Sequence, residues 1–110
     1  MAAELARKEK GKIVTSNLVL GETWTLLRRR SGHFAAVGFL DKVGRLPNFE
    51  AIYIDKAMTQ QAWKWLRRYG DREYSFVDAT SFILMKSRRI REALAFDGDF
   101  SSAGFIEVRP

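Results

Sequence analysis

The strongest constraint on the fold is an alternation. Short runs rich in β-branched and aromatic residues, "KIVT" (12–15), "FEAIYID" (49–55), "EALAF" (92–96) and "GFIEV" (104–108), read as strands. Between them lie longer stretches with apolar residues at helical spacing. "LVLGETWTLLRRR" (18–30) is one, with Ser16 or Asn17 as its cap and three arginines suiting the negative end of its dipole. "GHFAAVGFLDKVG" (32–44) repeats Phe34, Val37, Leu40 and Val43 along one face and stops at Gly44, with His33 at its start. "KAMTQQAWKWLRRYG" (56–70) has Asp55 placed to cap it, and "YSFVDATSFILMKSRRI" (74–90) opens a fourth helix. Residues 2–10 read as the last turns of a further helix, closed by Gly11. Strands alternating with helices predict an α/β three-layer sandwich, a mainly parallel sheet covered by helices, with residues 1–110 forming a single domain.

Composition narrows the function. The chain has no cysteine, which excludes disulfides and thiolate metal sites. No apolar run approaches the roughly 18 residues that span a membrane. The first residues carry charges where a signal peptide needs its apolar segment, so a cytoplasmic protein without a membrane partner is expected. Nineteen basic against thirteen acidic residues give a net charge of +6, which favours a polyanionic partner.

In a parallel sheet, ligands bind beyond the carboxyl ends of the strands. Asp97 and Asp55 follow strands, and the helix carrying Asp78 begins near the same edge. Each acid has a local reading beside a functional one. Glu22 lies one helical turn from Leu18 and from Leu26; it is either a rim residue reaching water or a carboxylate that needs a cation. "SFVD" (75–78) is a serine-x-x-acid capping box, compatible with a second role for Asp78. Asp97 and Asp99 flank Gly98 as turn residues do, and Phe100 then folds back onto the core.

Taken jointly, "VTSNLVLGETWTLL" and "YSFVDATSFILMKSRRIREALAFDGDF" resemble the PIN-domain ribonucleases, notably the VapC-like toxins of toxin–antitoxin pairs. The resemblance covers nearly the whole chain. It implies Mg²⁺- or Mn²⁺-dependent cleavage of RNA, with Glu22, Asp78 and Asp97 as catalytic and metal-site acids and Asp99 as an accessory metal ligand. It also implies an antitoxin partner and a homodimer.

Members of that family begin with a strand ending in an aspartate, and this chain joins the pattern after it, so three of the four principal acids are present. The expected consequences are weak cleavage, open inner strand edges that favour self-association, and a true start upstream of Met1. Asp55 is a conceivable substitute for the missing acid. Arg28, Lys86 and Arg89 are candidate RNA-phosphate contacts, and Trp63, opposite the apolar side of its helix, is a candidate dimer contact. Two rival readings are a non-catalytic PIN remnant serving dimerisation or RNA binding, and a metal-independent interaction protein whose acids only cap and turn.

Overall fold

A computed structural model describes residues 5–7, 11–95 and 98–108. The elements are β1 (Leu5–Arg7), β2 (Ile13–Ser16), α1 (Asn17–Ser31), α2 (His33–Val43), β3 (Phe49–Ile52), α3 (Lys56–Arg68), α4 (Phe76–Ser87), β4 (Glu92–Leu94), α5 (Asp99–Ser102) and β5 (Ile106–Val108). The five strands form one sheet in the order β3-β2-β1-β4-β5. β2 pairs parallel with β3, and β4 with β5, whereas β1 is antiparallel to both β2 and β4. Four strands therefore share one direction, and only the central one opposes them. The sheet is mainly parallel, as the alternation predicts.

β1 corrects two expectations. Residues Leu5–Arg7 are a strand and not the end of a helix. A single turn of helix has almost no stability of its own, whereas the facing edges of β2 and β4 offer a row of unpaired N–H and C=O groups. β1 satisfies both edges, so the inner edges expected to be open are closed: Ala6 stands opposite Val14 on one side and Ala93 on the other.

The crossover from β2 through α1 and α2 moves outward to β3, while the one from β3 through α3 and α4 returns across the sheet to β4. Right-handed connections of opposite sense place the two helix pairs on opposite faces. α1 packs on α2, and α3 on α4. Gly32, with φ +91°, closes α1 and lets α2 begin at once. The apolar stripe of α2 does not face the core. Phe34 is 92% exposed, and Val37 and Leu40 are exposed too, while Ala36 is the residue α2 buries. The small face is the one that allows close helix approach, and it turns the bulky side chains outward.

The core centres on α4, which buries every residue from Asp78 to Met85. Phe82 is its hub, with ring centroids 4.9 Å from Trp65, 5.5 Å from Tyr74, 4.8 Å from Phe100 and 5.6 Å from Phe105. The stop of β3 is tied to the start of α1 by the Ile54 N–H, which donates to Asn17 Oδ1 at 2.7 Å. Ile54 is buried, so removing that acceptor orphans a buried donor. Asn17→Ala is expected to lower stability by about 1–3 kcal/mol, read from the midpoint of urea unfolding.

Candidate active site

Because β2 and β4 run in the same direction, their carboxyl ends lie on one edge of the sheet, and the connections leave that edge in opposite senses. This is the topological switch point, where the crevice between connections takes ligands in open α/β sheets. Two of the expected acids are carried there by helix starts.

α1 begins directly after β2. Ser16 keeps an extended backbone and its side chain accepts the Val19 N–H at 3.1 Å, so the helix starts with a satisfied cap. Glu22 then falls in the second turn, half-buried, on the side of Leu18 and Leu26. The rim reading is therefore incomplete. Burial raises the Glu22 pKa, and the charge of Asp78 raises it further. Carboxylates from two distant segments thus feel one another across the crevice.

Asp78 is 5% exposed. The capping box is fully formed: the Asp78 N–H donates to Ser75 Oγ at 2.9 Å, and the Ser75 N–H donates to Asp78 Oδ2 at 3.1 Å. Capping and a site role coexist. The cap holds the carboxylate in one orientation at the start of α4.

Asp97 lies outside the described residues. The chain on its far side is held firmly. Gly98 takes φ +82°, and a Cβ there would stand 3.3 Å from the Arg72 guanidinium. Asp99 opens α5, and its Oδ1 accepts from Arg72 Nε at 2.7 Å. Phe100 is buried against Phe82, which brings this loop to α4, one helical turn from Asp78.

Glu107 on β5 completes the arrangement and has no signature in the sequence. Its Oε1 accepts the Gly98 N–H at 3.2 Å and its Oε2 the Ser101 N–H at 3.0 Å. Burial works to raise the Glu107 pKa, but these backbone donors outweigh it and leave it lowered. A carboxylate nine residues downstream thus takes the place of a local cap for α5, which has none of its own. Arg72 was also not anticipated, because nothing local links a loop arginine to an aspartate 27 residues on.

The other candidates do not join the acids. Asp55 accepts the Met58 N–H at 2.9 Å and caps α3. Arg28 is in the last turn of α1, and Lys86 and Arg89 lie at or beyond the end of α4, away from the helix starts that carry Glu22 and Asp78. His33 opens α2, as expected of a helix-start residue. Trp63 stacks on Phe76 within the chain, with centroids 4.3 Å apart. Among the described residues, no group of three His, Asp or Glu side chains is close enough to hold a metal ion. Glu22 and Asp78 are a pair of hard oxygen donors whose mutual repulsion a divalent cation relieves, and in that respect they fit such an ion.

Parallel strands on either side of a reversed crossover, with helices covering the sheet, make an α/β PIN-like fold. Residues 1–106 match the PIN domain, and the chain belongs to that family. It is 56% identical over 99 residues to the 23S rRNA-specific endonuclease VapC20 of Mycobacterium tuberculosis, in strain CDC 1551 / Oshkosh and equally in strain H37Rv; the match covers 89% of this chain and 74% of the relative. The crystal structure of Mycobacterium tuberculosis VapC20, described as a sarcin-ricin loop cleaving toxin, superposes with a TM-score of 0.80 at 56% identity, over 88% of this chain and 74% of that one.

The raised Glu22 pKa sets a pH dependence. Folding favours its neutral form, so its contribution is fully present below the ordinary glutamate value of 4.5 and is lost as pH rises through the higher folded value. Glu22→Gln stays neutral throughout. In chelator at neutral pH the variant should therefore unfold at higher urea than the wild type, and the gap should close in mild acid.

Proposed function

We propose that this chain is a VapC-like, metal-dependent endoribonuclease of the toxin class, with Glu22, Asp78 and Asp97 as its metal-site acids and ribosomal RNA as its substrate class. The observation that carries the reading is the PIN-domain match over residues 1–106, with Glu22 and Asp78 on the helices that start beyond one edge of the sheet. The name of the curated relative, a 23S rRNA-specific endonuclease, supports the substrate class.

PIN-domain nucleases are generally metal-dependent. Oxygen-only donors suit Mg²⁺ or Mn²⁺, with Glu22 and Asp78 as the described ligands and Asp97 as the third. Such an ion, when bound, activates water and offsets the charge that develops on the phosphate. The chain's own residues do the positioning. The Ser75–Asp78 box fixes one carboxylate. α1 holds the other at the rim of the core, and the Phe82–Phe100 contact and the Glu107 clamp hold the loop that follows Asp97. Asp99, paired with Arg72, supports that loop beside the site.

Cytoplasmic action on RNA, pairing with an antitoxin protein, and a homodimer belong to the same reading. No helix among the described residues is long and apolar enough to cross a membrane. Support for a protein partner rests on the outward apolar face of α2, Phe34 with Val37 and Leu40, and no longer on open inner strand edges or on Trp63.

Two measurements test the proposal. Mn²⁺ should raise the melting temperature of the wild type, and Asp78→Asn, which preserves the cap, should remove that increment. Single-stranded ribosomal RNA segments should be cleaved in Mn²⁺, and the rate should fall by at least a hundredfold in Asp97→Asn, a change on the order of 3 kcal/mol in barrier. An equal metal shift in both proteins, with no cleavage by the wild type, would overturn the reading in favour of a non-catalytic PIN module.

A further inference from the structure

The exposed face of α3 combines an aromatic ring with a row of cations. Gln60, Trp63, Lys64, Arg67 and Arg68 recur at intervals of three and four, so they form one continuous stripe. The opposite side of the helix buries Ala62 and Trp65 in the core. The five stripe residues line an open groove of about 580 Å³. From Lys56 to Arg68 the helix carries no acid at all. Among the described residues, Lys64, Arg67 and Arg68 take part in no ion pair; the salt bridges there use Lys12, Arg72 and Arg88.

Trp63 is 48% exposed, an unusual position for so large an apolar ring. Its indole is held by an offset stack on Phe76, at 4.3 Å and 23° between planes. One ring thus backs another, which fixes the orientation of the indole while half its surface stays open. Phe76 is the first residue of α4, and Asp78 is the third. The aromatic shelf therefore adjoins the turn that presents the buried carboxylate.

We propose that this groove is a subsite for unpaired nucleotides of the RNA, with a base stacking on Trp63 and the flanking phosphates held by Lys64 and Arg67. The inference rests on the ribonuclease reading and extends it by naming where the strand lies outside the cleavage site. A fixed ring with an open face suits bases of any identity, because every base has a π-face. A row of uncompensated cations beside it follows a phosphate backbone. A protein partner would find less: an acid-free cationic stripe has a single large apolar side chain to bury, whereas the apolar face of α2 offers several.

The test uses the full chain in chelator, so that binding is measured without cleavage. Fluorescence anisotropy follows a short labelled single-stranded RNA. Trp63→Ala should weaken binding on the order of five- to a hundredfold, the range for loss of one stacked base. Trp63→Phe, which keeps a ring on Phe76, should retain most of the affinity. Lys64→Gln with Arg67→Gln disturbs no packing, so it stays informative if Trp63→Ala fails to fold. It should weaken binding and reduce the slope of log K against log salt by about 1.4, two phosphate contacts at about 0.7 each. Unchanged affinity in both Trp63→Ala and the double variant would sink the proposal. So would a loss of binding that accompanies a change of oligomeric state in light scattering, because the stripe would then be a protein contact. If the wild type binds through Trp63 in chelator but does not cleave in Mn²⁺, the subsite stands and the nuclease reading falls; if the wild type cleaves and Trp63 is indifferent, the reverse holds.

Discussion

Most of this structure depends on the burial of Phe82. Its ring touches side chains from α3, from the loop before α4, from α5 and from the turn after α5. Full burial of an aromatic ring of this size stabilises by about 1.5–3 kcal/mol, and edge-to-face contacts add to that. Phe82 lies one turn beyond Asp78 on the same face of α4. Fixing the ring therefore places the carboxylate at the inner end of the crevice. The same contact draws in Phe100, and with it the chain that follows Asp97 and Gly98. One hydrophobic cluster thus assembles acid-bearing segments whose charges would otherwise keep them apart.

The electrostatics divide along the sheet. At the amino edge Glu50 is gripped by Lys12 at 2.8 Å and by Arg88 at 3.3 Å, and these partners lower its pKa to about 2. That cluster joins β3 to the ends of α4 and of the segment before β2, a structural duty in which both cations are spent. At the carboxyl edge the situation is inverted. Burial works against the charge of Glu22 and the charge of Asp78 adds to that effect, while Asp99 is paired with Arg72. Opposite signs pair where the fold needs strength, and like signs remain where a cation is wanted.

Exposed apolar surface tells a related story. The stripe of α2 has the periodicity of a core-facing helix, yet Phe34 stands almost entirely in solvent. Periodicity reports that one face of a helix is apolar, but it does not say what that face covers. Here the choice went to the smaller face, which lets α2 lie close on α1. The outward stripe is a liability for an isolated monomer and an asset for a protein that works with another chain.

The local chemistry was legible in the sequence: the strand–helix alternation, the Ser16 and Asp55 caps, the Ser75–Asp78 box and the helix start at His33 all follow from short-range rules, and the structure forms each of them. The family resemblance carried by the segments around Glu22 and Asp78 was legible for the same reason, because motifs are local. What only the tertiary structure decided are the long-range pairings. No short-range rule reveals that Leu5–Arg7 leaves its helical pattern to fill the gap between β2 and β4, since the decisive partner is the unpaired backbone of strands far along the chain. Nor does any rule couple Glu107 to Gly98, or Arg72 to Asp99, or turn Trp63 onto Phe76. Caps and periodicities are set by neighbours within a turn or two of helix, whereas the burial that raises the Glu22 pKa exists only once two distant helices meet at the edge of one sheet.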